Sequence, residues 1–300
     1  MPQKIAVAIV HGVGRQGPNF ADGMIKELSE RFGDALKMNA AQVKTALAFG
    51  PAYWAPVLGG KEDLLWTQVQ KGGPLDFTSL RKFMVQFAAD AMAYQPLPGE
   101  KSIYEDIHEV FAQALHKLAD PVQGAGPNAP LMVIAHSLGT VIASNYFYDL
   151  HASAPGPAGK SLVPQKVRAV QGATPSPLEK GETLAWLVTM GSPIALWSLR
   201  YENPTFGVPI TVPTPGIQQR FPGLGGWKNF YDEDDIIGYP LKQLNDSYRN
   251  ANLQDLEVNS GGIFSSWNPL SHNGYWTDND VTKPVAGWLV ETWKKVNPGP

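Results

Sequence analysis

The chain contains no cysteine among its 300 residues, which rules out disulfides and thiolate metal sites and leaves the redox compartment unmarked. It carries no basic surplus: 24 Lys and Arg stand against 27 Asp and Glu, for a formal net charge of −3. A nucleic-acid ligand, which needs clustered cations to neutralise phosphates, is therefore not expected. No polybasic run favours an anionic membrane surface. No apolar run approaches the ~18 residues of a membrane span, so no transmembrane anchor is expected. The short apolar run near the N-terminus is followed by His11-Gly12 instead of a small-residue cleavage site, so a cytoplasmic location is expected. Charged residues make up only 17% of the chain and hydrophobic residues 43%, the profile of a globular chain long enough to bury a large core.

What is abundant is glycine and proline, 30 and 26 residues, above the average of roughly 12% for the two together. The excess gathers in three segments, so it reads as long loops. Between them run short apolar segments with little alternation, as expected of parallel strands covered on both faces: Lys4–Val10, Val43–Phe49, Leu131–Ala135, Leu184–Met190, Lys228–Tyr231 and, more weakly, Asp255–Val258. Helical periodicity falls at Phe20–Phe32, Leu75–Tyr94, Ile103–Leu118, Val141–Leu150, Leu241–Tyr248 and Val281–Val296. Strand alternating with helix predicts one α/β domain over 1–300, with a doubly wound, mostly parallel sheet of about six strands. Pro51–Pro130 reads as a helical insertion with the position of a cap or lid, and His151–Glu182 and Tyr201–Gly226 read as long loops.

Two motifs carry chemistry. After the first strand comes His11-Gly12-Val13-Gly14-Arg15-Gln16-Gly17, which as a string matches the glycine fingerprint of a dinucleotide pyrophosphate site. As chemistry it also suits a loop that offers bare backbone N–H groups to an oxyanion. The second motif is Ala135-His136-Ser137-Leu138-Gly139, between an apolar strand and a helix expected to begin at Thr140 or Val141. This strand–turn–helix setting is that of the G-x-S-x-G nucleophile elbow, with Ala in the first small position. Small residues flank the serine because the turn is too tight for side chains there. The turn exposes a hydroxyl at a helix N-terminus, where developing negative charge is favoured.

If Ser137 is a nucleophile, an acid and then a histidine should follow it. Six histidines are present. His11 and His136 lie inside the motifs, His108 and His116 precede the serine on a helix read as a solvated face, and His151 closes the elbow helix. Only His272, in the polar loop after the last strand, occupies the required slot. The loop after the preceding strand supplies Asp232, Glu233, Asp234 and Asp235. Asp235 adjoins the returning Ile236-Ile237 and is the best placed to be partly buried, with Asp234 second; the other acids read as an acidic surface turn. A dinucleotide site would need an acid near the end of the second strand, and Phe49-Gly50-Pro51-Ala52-Tyr53-Trp54 has none. The first loop is therefore read as an oxyanion loop, in which the Val13 amide, kept open by Gly12, pairs with the amide of Leu138.

With these residues the chain resembles the α/β-hydrolase superfamily in its serine esterase and lipase branch, along His11-Gly12, Ala135–Gly139, Thr189-Met-Gly-Ser-Pro193, Asn229–Leu241 and His272–Trp276. The resemblance implies a compact α/β-hydrolase fold that starts at the strand before the oxyanion loop. It places the triad acid on Asp235, with Ile236 where the family has proline. Ala135 for the first elbow glycine is the other departure. It implies an acyl-enzyme mechanism on a small-molecule or lipid ester, with no metal or organic cofactor. The same triad also serves thioesterases, amidases and acyltransferases, and a hydrolase fold can persist as a binding protein. For substrate binding, Trp54 and Tyr53 at a strand's carboxyl end are the leading residues, with Trp66, Phe77, Phe83 and Phe87 as further aromatics; Phe83 and Phe87, at i and i+4, read first as helix core. Ser192 reads as a structural turn.

Overall fold

The computed structural model describes residues 2–14, 16–58, 60–95, 102–151, 162–200, 207–259 and 271–299, with backbone only at 61, 62, 79, 80, 83, 200, 271 and 273. Six strands, β1 (Ile5–Val10), β2 (Leu47–Ala52), β3 (Leu131–His136), β4 (Leu184–Met190), β5 (Gly226–Tyr231) and β6 (Leu253–Glu257), form one sheet in the order β2-β1-β3-β4-β5-β6. Every neighbouring pair is parallel. β1, β3 and β4 are buried along their whole length, which is why their sequences are almost entirely apolar.

Helices cover both faces. In chain order they are α1 (Asp22–Leu36), α2 (Ala40–Ala46), α3 (Lys61–Lys71), α4 (Thr78–Ala93), α5 (Ile103–Ala119), α6 (Leu138–His151), α7 (Gln165–Gln171), α8 (Ile194–Trp197), α9 (Pro215–Arg220), α10 (Asp246–Asn250) and α11 (Asn279–Val296). On one face Met24, Leu28 and Phe32 of α1 and Val281, Val285 and Leu289 of α11 meet Ile5, Val7 and Ile9 of β1. On the other, Ile107, Phe111 and Leu115 of α5 and Val141 and Ile142 of α6 meet Ala6, Ala8 and Val10. Successive side chains of β1 thus serve opposite layers. Each fully buried Leu or Phe of this kind contributes about 1.5–3 kcal/mol.

Three sequence expectations shift. The second strand begins at Leu47, not Val43: the Asn39 side chain accepts from the Gln42 amide while the Gln42 side chain accepts from the Asn39 amide, and this capping box starts α2 instead. The helix expected over Leu241–Tyr248 is confined to Asp246–Asn250, because the Leu241 and Lys242 amides donate to the Asp255 carboxylate and Asn245 caps the Tyr248 amide. His108 is not on a solvated face but is fully buried, its Nε2 2.8 Å from the Tyr94 hydroxyl; burial pushes its imidazole down to about 3. Short helices α7 and α9 lie in stretches read as long loops, and α3 is a further helix within the segment read as a helical insertion.

The order β2-β1-β3 reverses direction at β1, so the carboxyl ends of β1 and β3 bound a topological switch point, where open α/β sheets bind ligands. Register aligns Val10 with Ala135, Ala135 with Thr189, and Met190 with Phe230. The residues that emerge from these neighbouring ends are His11-Gly12, Ser137, Gly191 and Asp232.

Candidate active site

Ser137 joins β3 to α6 with φ of 53°, in the left-handed region that costs a side-chain-bearing residue about 1–3 kcal/mol. The turn is held from both sides. Ser137 N–H donates to Met190 O at 2.9 Å, and the amide and hydroxyl of Thr140 both donate to Ser137 O, at 2.9 and 2.7 Å. Thr140 Oγ1 also lies 2.9 Å from Ser192 Oγ, so Ser192 braces the turn, in keeping with its structural reading. The Ser137 hydroxyl is buried and takes part in no hydrogen bond among the described residues.

His272 and Asp235 meet across the next two strand ends. His272 Nδ1 lies 2.8 Å from Asp235 Oδ2 and 3.0 Å from Oδ1, and both side chains are almost wholly buried. Asp235 Oδ1 also accepts from the Ile237 amide at 3.0 Å, and Oδ2 from the Tyr275 hydroxyl at 2.9 Å. Burial works to raise this carboxyl, but the His272 hydrogen bond and charge, with the Ile237 and Tyr275 donors, hold it below the usual carboxylate range. Of the other acids in the loop, Glu233 and Asp234 are exposed. Asp232, expected at the surface, is instead buried, and its Oδ1 accepts from the Asp234 amide. Gly191 lies under the pair with φ of 53°, where a Cβ would stand 2.8 Å from Asp235 Oδ2 and 3.0 Å from His272 Nδ1.

His136 ties this pair to the elbow. Its Nε2 donates to the backbone carbonyl of His272, and the two rings lie 4.7 Å apart. Burial, then the neighbouring His272 charge, pushes the His136 imidazole down to about 3, so it is neutral at working pH.

The first loop closes over the serine. A Cβ on Gly12 would lie 2.4 Å from Ser137 Cβ and 3.0 Å from its Oγ, so only glycine fits. His11 Nε2 accepts from the amides of Trp54 and Ala55, at 3.1 and 3.2 Å. The imidazole proton must then sit on Nδ1, which donates to Gly12 O at 2.8 Å. Burial, only partly offset by that bond, brings His11 down to about 4, so the neutral tautomer persists. In a trans peptide the carbonyl and the following N–H point opposite ways. Pinning Gly12 O therefore fixes the direction of the Val13 amide. Among the described backbone hydrogen bonds neither the Val13 nor the Leu138 amide has an acceptor, whereas the Gly14 amide donates to buried Asp90.

Trp54 is 1% exposed, stacked on His11 at 4.6 Å, and its indole N–H donates to His11 O. Tyr53 is half-buried, 5.8 Å from the His11 ring. Both line a cavity of about 540 Å³ with Gly14, Gln16, Gly17 and Asp90. Trp66 is buried, Phe77 is exposed, and Phe87 packs edge-on to Trp197. The Phe83 side chain and the loop segment Asn268–Leu270 lie outside the described residues.

Sequence reasoning missed His136, Gly191 and Tyr275. For Tyr275 a signal existed: it follows His272 by three residues in a 3-10 turn, Ser271–Trp276, a spacing that eclipses side chains. Among the described residues no His, Asp and Glu cluster could hold a metal ion, and no helix is long and apolar enough to cross a membrane. No protein-family model, no curated protein and no solved structure matches the chain.

Proposed function

We propose that this chain is a serine hydrolase of carboxylic esters, built as a compact α/β-hydrolase. The observation that carries the reading is the buried Asp235–His272 pair at the strand ends beside a left-handed Ser137, whose hydroxyl makes no hydrogen bond among the described residues. In this reading Ser137 Oγ attacks the acyl carbon and His272 Nε2 takes the serine proton. Asp235 keeps the other imidazole proton on Nδ1 and stabilises the imidazolium. The amides of Val13 and Leu138 receive the oxyanion; one such donor is typically worth about 10²–10³ in rate. His272 then returns the proton to the leaving alcohol, and water repeats the sequence on the acyl-enzyme. Serine–histidine contacts in ligand-free sites are often loose and tighten around the substrate.

Hydrolysis of p-nitrophenyl esters from acetyl to palmitoyl, with fluorophosphonate labelling of Ser137 read by peptide mass spectrometry, tests the reading. Labelling confined to Ser137 and a defined chain-length optimum are expected. Matched thioesters and amides establish which acyl bond is preferred. Absence of both labelling and turnover would leave a hydrolase-like binding protein.

Gly12→Ala is expected to lower ester turnover by about 10²-fold, because its Cβ would stand 2.4 Å from Ser137 Cβ and push the loop off the serine. Gly287→Ala, where a Cβ meets nothing within 4 Å, serves as the control. Equal activities in the two variants would remove the first loop from the oxyanion site.

A further inference from the structure

His272 and Tyr275 share one short turn and one carboxylate. The Tyr275 ring is fully buried. Its oxygen accepts from the Asp232 amide at 3.0 Å and lies 2.9 Å from Asp235 Oδ2. A phenol has one proton to give, and an ionised carboxylate only accepts. The Asp232 amide fills the acceptor side, so the Tyr275 proton is directed at Oδ2, the oxygen that also takes the shorter contact from His272 Nδ1. Burial, reinforced by the Asp235 charge, pushes the phenol far above its ordinary range, so it stays a donor at every working pH. Asp235 thus divides its charge among three donors, from His272, Tyr275 and Ile237.

We propose that Tyr275 is a positioning residue for the reaction proposed above: by drawing on Asp235 Oδ2 it limits how strongly the carboxylate holds the His272 proton, and by bonding the Asp232 amide it fixes the loop that presents Asp235. Without the phenol, Asp235 would concentrate its charge on the imidazole, which would then keep its proton to higher pH and be a base over a narrower range. Among the described residues, the titratable groups that act on the pair and its neighbours include Asp232 in the same loop and His136 at the end of β3, with His11 beyond His136. Both histidines stay neutral through burial, so neither masks the effect. The β4 end contributes Gly191 and Ser192, which do not titrate in this range.

The test is Tyr275→Phe, followed in two independent ways. The pH dependence of kcat/KM on a p-nitrophenyl ester should show its acid limb displaced upward by about half a pH unit or more, with kcat reduced about tenfold and KM unchanged. An NMR titration of His272 in the resting protein should show the same upward displacement, and it requires no turnover. Should Tyr275→Phe not fold, difluorotyrosine at position 275, similar in size and a stronger donor, should displace the His272 titration downward. A His272 titration unmoved in these variants overturns the proposal, even if stability falls. Absence of turnover in the wild type, with the titration still displaced, overturns the esterase reading and not the role of Tyr275.

Discussion

Ser137→Ala should abolish ester hydrolysis, by about 10⁵–10⁶-fold in kcat, with only the background from the oxyanion amides and substrate binding remaining. The fold should persist. The hydroxyl makes no hydrogen bond among the described residues, so its removal leaves no buried partner unsatisfied, and the backbone bonds that hold the turn run from Ser137 N–H to Met190 O and from Thr140 to Ser137 O. Alanine inherits the positive φ and its strain without adding to it. A thermal midpoint within a few degrees of wild type, with hydrolysis lost, separates a missing nucleophile from a broken fold. Turnover surviving in the purified variant would move the nucleophile elsewhere. Ser192 is a poor substitute, since its hydroxyl is already engaged by Thr140 and the Ile194 amide.

The second large effect is expected from Asp235→Asn, about 10⁴-fold in kcat. Its amide would turn either an N–H₂ or an oxygen toward His272 Nδ1, while Tyr275 and Ile237 compete for the remaining oxygen. With the N–H₂ on the histidine side the imidazole adopts the opposite tautomer, and its Nε2 can no longer accept the serine proton. Asp234→Asn, on an exposed side chain, should leave kcat within about twofold, as surface changes usually do. Equal losses in the two variants would overturn the assignment of the acid. Stability should respond too. Because Asp235 is held below its ordinary range, the unfolded chain protonates first as the pH falls. Its contribution is fully present above the unfolded value of about 3.9 and fades as the pH falls through the lower native one.

The sheet was legible in the sequence where burial is two-sided. β1, β3 and β4 have no solvent face, so almost nothing polar enters them (Thr189 in β4 and His136 at the end of β3 are the exceptions) and their runs declare themselves. Val43 was misplaced in a strand because Val43-Lys44-Thr45-Ala46, leading straight into Leu47, fits both elements, and the Asn39–Gln42 box that decides between them is a local hydrogen-bond signal, not a hydrophobic one. The pairing of His272 with Asp235 was legible through chain order and through burial of the returning segment, although of the two isoleucines only Ile237 is buried and Ile236 is 60% exposed. Tyr275 was harder to find, since its role depends on where a 3-10 turn meets a loop some forty residues earlier. Trp54, read as a ligand-facing aromatic, stands against His11 with its indole N–H on that residue's carbonyl, a partnership set by the alignment of β1 and β2 and invisible in either segment alone.

The reversal of strand order at β1 also bears on when the site comes into being. Gly12 and Ser137 touch only because β1 and β3 are sheet neighbours, although β2 and the helices α1–α5 lie between them along the chain. Closing a loop of about 125 residues carries an entropic cost that is not recovered until the strands on both sides are paired. Asp235 and His272 belong to segments laid down later still. On the proposed function, a chain that has collapsed and formed its helices would therefore have a serine but no cradle and no base, and reactivity at Ser137 would mark completion of the whole sheet, not of any part of it.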